Sequence, residues 1–500
     1  MYLLMRMHNL PPMLLKPISI IFFVVVAFGL LWQTISLSNS VPLHDWDEAI
    51  YAQVAREWAQ SPSLTLHYNG VTWFEKPPLP FVIMGGLWAL LGPQILPLRL
   101  VSALLGLCCV VLVFLITKKI TKRVSVGLVA SAICITSTYF LDRSSIINVD
   151  MYLACGWLLY MVSEKLGVRM LAVLLGVGSK SLLGFFPLLV DAGYETLRGG
   201  LNLRKIRDYM LQLILGLSWH AYMYAKFGNV FFQSHFLDHM ISRVAKPIEL
   251  HFGDKFFYVT KIWEDVGLFG VLAIVGFLIT GLIISRNWKG NEKTEHVDVK
   301  LPVLLVLTPL LYLILLTLSK AKLTWYVFPL IPFVAIFAAV AIAKITQLNM
   351  KLRPVGMIIF ACCTLFFVYH IASQNFRSYT VPDKTMLAKC VDTIDMPGER
   401  IAYLVSPRER QDAQVIEAAN LQIGSSFIYG SAPAFVFYAQ KPITFFYSKA
   451  KLSEELGQYR GLVMHDDDLS DPEISSFLQR WGKPATPPPC KSGPWQLFSR

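Results

Sequence analysis

The chain has 500 residues, 55% of them hydrophobic and only 16% charged, with a formal net charge of +12 and a mean hydropathy of +0.51. That balance excludes an ordinary soluble protein, which needs far more polar surface. Much of the positive excess sits in short loops between apolar runs, so it reads as topology control by the positive-inside rule and not as a nucleic-acid surface.

The first apolar stretch runs from Pro17 to Leu37. It exceeds a signal-peptide core of about 7–15 residues and reads as a retained span, with Arg6 and Lys16 holding the N-terminus inside. A polar segment follows, His44-Asp45-Trp46-Asp47-Glu48-Ala49-Ile50-Tyr51, in which Ile50, Val54 and Trp58 recur at helical spacing. Next comes Phe74-Glu75-Lys76-Pro77-Pro78. The apolar piece from Leu79 to Leu91 amounts to about 20 Å of helix, too short for a hydrocarbon core of about 30 Å. Read as interfacial, it leaves the basic run Lys118-Lys119-Ile120-Thr121-Lys122-Arg123 inside.

Further spans are expected at roughly 97–117, 124–141, 150–163, 166–179, 182–197, 209–226, 265–285, 301–319, 325–345 and 354–373. That makes about eleven in all, with 11–13 transmembrane helices as the expected range. Arg198, Arg204, Lys205 and Arg207 then fall inside, as do Arg286 to Lys300 and the stretch with Lys344, Lys351 and Arg353. Left outside are Val41 to Leu96, Asp142 to Asp150, the Lys180 hairpin, Phe227 to Glu264, Ser319 to Thr324 and the tail. Polar groups at membrane depth are costly, so their concentration on one side marks a functional face.

From about Asn375 the pattern changes. Arg400 to Val405, Pro442 to Tyr447 and Gly461 to Met464 read as strands. Asp471-Pro472-Glu473 opens a helix that runs to about Trp481. The expected organisation is a transmembrane domain over 1–373, with a catalytic external loop at about 38–96, and a small extracytoplasmic α/β domain over 374–500. His465-Asp466-Asp467-Asp468 reads as a solvated strand-to-helix loop. Of the eight cysteines, only Cys390 and Cys490 fall in the outer domain, where an oxidising compartment would permit a disulfide.

Asp45, Asp47 and Glu48 are more acids than a helix start needs for its dipole. A carboxylate there can act as general base toward an acceptor hydroxyl, and Asp47 is the candidate, with Glu48 beside it. Lys76, stiffened by two prolines at the lipid edge, is a candidate phosphate cation. Arg143, Lys180, Arg243, Lys320 and Lys322 can reach the same surface, where a departing lipid phosphate needs charge compensation. Glu75 and His239 are candidate metal ligands.

The block "DEAIYAQVAREW…HYNGVTWFEKPPLPF" resembles the first external loop of the GT-C glycosyltransferases, the group that includes the lipid A aminoarabinose transferase and the protein O-mannosyltransferases. Asp150 in Asn148-Val149-Asp150-Met151, Lys180, His239 with Arg243, and Ser319-Lys320-Ala321-Lys322-Leu323-Thr324-Trp325-Tyr326 follow in the family's order. The resemblance spans roughly residues 15–345. Ser179-Lys180-Ser181 stands where the family pattern has Thr-Lys-Gly, Ile50 where it often has arginine, and Asp238 where glutamate is common.

The resemblance implies a GT-C fold with external juxtamembrane helices in a cytoplasmic (inner) membrane, its site facing the periplasm or exterior. It implies an inverting transferase that takes sugar from a polyprenyl-monophosphate donor and passes it to a hydroxyl or phosphate of lipid A, a glycan or a protein. Asp47 and Glu48 would serve catalysis, and Lys76, Arg243, Lys320 and Lys322 the donor phosphate. Tyr51, Asp150, Lys180 and Tyr326 would line the cavity, and Glu75 with His239 would offer a zinc site. The rival reading is a transporter or flippase of lipid-linked sugars. It calls for acids in broken helices near the bilayer midplane and for related halves, and the acids here lie in an external loop.

Overall fold

The computed structural model describes residues 12–247, 251–288, 299–348, 352, 354–374, 379–393, 400–419, 426–481, 483–484 and 491–499. Arg6, Lys351, Arg353, most of the 286–300 loop and Cys490 lie outside the described residues. Cys390 is disulfide-bonded.

The chain is a multi-pass helical membrane protein. Among the described residues, seven helices are long and apolar enough to cross a bilayer: Leu15–Ser40, Ile95–Thr121, Leu166–Leu197, Leu268–Trp288, Lys300–Leu318, Thr324–Leu348 and Val355–Gln374. The expected eleven differ from this for identifiable reasons. Val124–Cys134 and Thr138–Ser145 bend by 75° at their junction, and counting them as one span brings the total to eight. Ser137 caps the second of these helices by accepting from the Phe140 N–H, and Asp265 accepts from Ser137 and Thr138, so the bend is pinned. Asp150–Val162 is apolar but short. The two spans expected at 166–179 and 182–197 are one helical run interrupted by the 3₁₀ turn Ser181–Phe185. Leu203–Phe227 is a helix, but Gln212, His220 and its tyrosines, together with the charged first turns, keep it out of the apolar set.

Between the first two spans lies an ordered segment. Helix Asp47–Gln60 leads to a hairpin of β1 (Leu66–Tyr68) and β2 (Val71–Trp73), paired Leu66↔Trp73, His67↔Thr72 and Tyr68↔Val71. Its two-residue turn places Asn69 at φ 53° and Gly70 at φ 78°, the pair of positive values that an Asn-Gly type I′ turn provides. Leu79–Leu91 is a helix, apolar but too short for the spanning set. It packs closely on the Asp47–Gln60 helix, because a Cβ on Gly85 would stand 2.6 Å from the Ala55 carbonyl oxygen.

The C-terminal part carries a six-stranded sheet made of β3 (Ile401–Leu404), β4 (Ile443–Phe446), β5 (Gly461–His465), β6 (Lys483–Pro484), β7 (Lys491–Ser492) and β8 (Trp495–Ser499). The strand order is β4-β3-β5-β8-β6, with β7 on β8. β3 is parallel to β4 and β5, with Tyr403 opposite both Phe445 and Val463, and the later pairings are antiparallel. The three expected strands and the helix Pro472–Trp481 are present. The acidic run after β5 is not the expected solvated loop: Asp468 is buried and held by Arg410 at 2.6 Å. It acts as a structural counter-ion.

This sheet domain rests on the segment between the first two spans. Arg56 donates to the Phe437 carbonyl at 2.6 Å, and Leu43 N–H donates to the Tyr438 hydroxyl at 2.8 Å. The Asn69 side chain meets both the N–H and the C=O of Ile443, at 3.1 and 2.6 Å. The apolar cores of the two regions are continuous, joining Tyr51, Trp73 and Phe81 to Tyr403, Phe435 and Trp495.

Candidate active site

One cavity of about 850 Å³ collects most of the residues singled out above: Asp47, Glu48, Tyr51, Glu75, Lys76, Lys180, His239, Arg243 and Tyr326 all line it. Asp47 opens the Asp47–Gln60 helix, preceded by Trp46 at φ 70°, and no side-chain hydrogen bond caps that helix. Asp47 stands in the first turn of that helix and lines the cavity.

Glu48 behaves differently. Its carboxylate receives Arg99 Nε at 2.8 Å and Nη2 at 3.0 Å, and accepts the N–H groups of His44 and Ile147. Burial pushes this carboxyl's pKa up, but Arg99 outweighs that and holds it below the usual range. With every oxygen so engaged, Glu48 is a structural anchor and not the catalytic residue it was expected to be. Arg99, fully buried, is the functional residue the sequence reading missed. A lone arginine in the apolar run Ile95–Thr121 was the available signal.

The Phe74-Glu75-Lys76 turn is gripped by histidines one turn apart in the π-helical stretch Phe232–Ile241. His239 Nε2 stands 3.1 Å from Glu75 Oε1. His235 Nδ1 lies 2.6 Å from the Phe74 carbonyl, which can only accept, so Nδ1 carries the proton. From the sheet domain, the Tyr429 hydroxyl donates to Glu75 and accepts from Trp73 Nε1 at 2.6 Å. Burial raises the Glu75 pKa, but His239, Lys76 and Tyr429 outweigh it and keep the carboxyl ionised. Lys76 is pushed down to about 8, first by burial and then by Lys180 and Arg243, with Glu75 opposing. Among the described residues Lys76 forms no ion pair, so its ammonium is uncommitted.

Lys180 pairs with Asp150 at 2.7 Å and lies over the Tyr326 ring at 5.0 Å. Asp150 thus acts on the cavity through Lys180, while Tyr51 and Tyr326 form apolar wall. The next residue, Ser181, has φ 53° and ψ −136°, a conformation that suits glycine, the residue the family pattern carries there. Ser181 uses its hydroxyl instead. Its Oγ is 2.8 Å from His220 Nε2 and 3.0 Å from His235 Nε2. Because His235 Nδ1 holds the proton and burial drives its pKa down to about 3, Nε2 accepts from Ser181, and His220 Nε2 must donate to it. A directed chain therefore runs from His220 through Ser181 and His235 to the Phe74 carbonyl. It flanks Lys180 at one end and Glu75-Lys76 at the other.

Two expected phosphate ligands stand elsewhere. Lys322 is buried and donates to the Leu316 and Thr317 carbonyls at 2.8 and 2.9 Å. It caps the helix Lys300–Leu318, whose terminal carbonyls attract a cation. Lys320 is exposed, and its backbone N–H bonds the Val244 carbonyl. Neither lines the cavity. Their loop instead braces Arg243, whose carbonyl accepts from Ser319 and Ala321. Arg143, over the Trp325 ring at 5.5 Å, does line it. So do Glu409, Asp412, Tyr429, Ser431 and Tyr447 of the sheet domain, which sequence order gave no reason to place there.

Glu75 and His239 supply two donors, whereas a catalytic zinc takes three protein ligands. Among the described residues, no group of three His, Cys, Asp or Glu side chains converges to hold a metal. No step is assigned to a metal.

The profile of the dolichyl-phosphate-mannose-protein mannosyltransferase family matches residues 18–167. An uncharacterized protein of Aquifex aeolicus is 25% identical over 347 residues, 65% of this chain; the chain spans 62% of that relative's length. Crystal structures of ArnT from Cupriavidus metallidurans, bound to undecaprenyl phosphate and in the apo state, both align with a TM-score of 0.63 at 14% identity. They cover 96% and 97% of this chain and 98% of theirs. The chain has the GT-C fold. The family match takes in Asp47, Glu75, Lys76 and Asp150. Lys180, His239, Arg243 and Tyr326 lie beyond it and line the same cavity.

Proposed function

We propose that this protein is a membrane glycosyltransferase that moves a sugar, with inversion, from a polyprenyl-monophosphate carrier to an acceptor at the outer face of the cytoplasmic membrane. The observation that carries the reading is one cavity holding the Asp47 carboxylate together with the uncommitted Lys76 ammonium and the Arg243 guanidinium. The undecaprenyl phosphate bound by the structurally similar ArnT supports the donor class.

In this mechanism Asp47 takes the proton of the acceptor O–H as the oxygen attacks the anomeric carbon. The bond from that carbon to the phosphate oxygen breaks on the opposite face. Its electron pair stays with the departing polyprenyl phosphate, and the proton stays on Asp47. Negative charge grows on the phosphate as it leaves, so Lys76 and Arg243 stabilise the transition state more than the ground state. Lys180 is already balanced by Asp150 and sets the shape and potential of the wall.

The test is transfer by purified protein from synthetic polyprenyl-phosphate sugars, with no ion gradient and with the product's anomeric configuration read by NMR. Inverted glycoside is the expected result. A protein that transfers nothing across a broad donor and acceptor panel, yet carries the intact lipid across liposomes, would be a transporter.

A further inference from the structure

The cavity wall contains a strained residue that the mechanism leaves without a use. Trp46 stands at φ 70° and ψ −128°, immediately before Asp47. Lys122 and Gln440 also have positive φ, but with ψ of 20° and 23° they end helices in the ordinary left-handed well. Trp46 lies outside that well, where a bulky residue is a genuine outlier and glycine is at ease. Strain of this kind concentrates at active sites and ligand clamps. Trp46 lines the cavity and is 45% exposed. Among the described residues its side chain forms no hydrogen bond and no ring contact, and it is part of no apolar core. Other rings of the wall are engaged. Arg143 lies over Trp325 and Lys180 over Tyr326, while Tyr51 packs edge-on against Trp73 and Phe81.

We infer that Trp46 is the platform for the donor's sugar, holding the C–H face of the sugar ring flat against its indole. The inference rests on the transferase reading above and deepens it. In that reaction the anomeric carbon lies between the acceptor oxygen, beside Asp47, and the phosphate, beside Lys76 and Arg243. Consecutive Cα atoms are about 3.8 Å apart, so the ring next to Asp47 is within reach of the same sugar. A sugar carries hydroxyls around its rim and C–H groups on its faces. Charged side chains of the cavity can serve the rim, but a face calls for an unengaged aromatic surface. Stacking would also fix which side of the anomeric carbon meets Asp47, the orientation that inversion needs. A tryptophan shortly after a span could instead anchor the chain among lipid headgroups. An anchor needs no strained backbone and belongs on the lipid-facing surface, whereas Trp46 lines the cavity with Asp47.

The test measures binding to the full-length protein in nanodiscs, with no acceptor present. The probes are polyprenyl phosphate and mannosyl, glucosyl and arabinosyl donors in which a CH2 group replaces the anomeric oxygen, so that they bind without turnover. Trp46→Gly should weaken the sugar probe that wild type binds best by about tenfold, the weight of one aromatic stack. Polyprenyl phosphate should stay within about twofold of wild type. The thermal midpoint of Trp46→Gly should be unchanged or higher, because glycine accepts the positive φ freely. Trp46→Phe should restore most of the sugar's affinity, since it keeps a ring at the same backbone position. Trp46→Ala serves as the second variant should glycine loosen the loop. Equal weakening of sugar probe and bare carrier, or weakening of neither in the glycine and alanine variants, overturns the platform while leaving the transferase standing. Absence of transfer by wild type from the corresponding oxygen-linked donors, across lipid, glycan and peptide acceptors, removes the transferase reading and the platform together.

Discussion

Arg99 clasps Glu48 through two parallel hydrogen bonds, and the same guanidinium donates to the carbonyls of Leu37, Val41 and Pro42. Glu48 in turn accepts the Ile147 N–H. The end of the first span, the loop that follows it and the approach to Asp150 are thereby tied into one knot. Glu48→Gln or Arg99→Met should lower stability by about 3–5 kcal/mol, since either change leaves a buried charge uncompensated. Thermal unfolding of the detergent-solubilised protein checks this, and an unchanged midpoint would refute it. Because the folded Glu48 carboxyl sits below its ordinary pKa, its contribution is present at neutral pH and is lost as pH falls through the folded value.

Asp47 should show the opposite profile. Asp47→Asn is expected to cut transfer by about 10²–10⁴-fold, the range of lost general-base catalysis. Melting temperature and binding of polyprenyl phosphate should stay near wild type. Activity within a few-fold of wild type would take Asp47 out of the mechanism.

Lys76 carries a pH signature. With its pKa pushed down to about 8, the ammonium is charged below that pH and neutral above it. The value of kcat/KM should therefore fall as pH rises through about 8. Lys76→Arg keeps its charge over the whole range, so its basic limb should disappear even though its maximum is lower. A limb that persists unshifted in the arginine variant would place the titration elsewhere.

The chain from His220 through Ser181 and His235 to the Phe74 carbonyl should act by position. Ser181→Gly relieves the positive φ but removes the hydroxyl, so the fold should tolerate it while kcat drops about tenfold, with donor KM altered less. Ser181→Thr should restore part of the loss, because its hydroxyl can remake the chain. Equal kcat in wild type and Ser181→Gly would reduce the chain to a packing feature.

Local chemistry made much of this legible in advance. The short apolar helix Leu79–Leu91 followed from its length after two prolines, and β3, β4 and β5 from their β-rich runs. Lys76, Lys180 and Arg243 were found because a lysine or arginine beside lipid needs a reason. The misreadings share one cause. Glu48, Lys322 and Asp468 are all charged residues whose partners, Arg99, the Leu316 and Thr317 carbonyls and Arg410, are fixed by tertiary packing. A sequence shows the charge and hides the partner. Span counting failed where a pinned bend or a 3₁₀ turn interrupts an apolar run, since hydropathy registers composition and not direction.

The Asn69 clasp on Ile443 closes a separation of 374 residues, and Tyr429 reaches Glu75 across a similar stretch of chain. At ribosomal rates of about 5–20 residues per second, the first loop waits roughly 20–75 s for these partners. Throughout that interval the membrane already holds Asp47 and Lys76, but Glu75 lacks its tyrosine and the cavity lacks a wall. The nascent protein is therefore expected to be inserted and idle, unable to act on a carrier lipid until its last domain docks. On the transferase proposed above, synthesis order itself would keep the unfinished protein from handling an activated sugar.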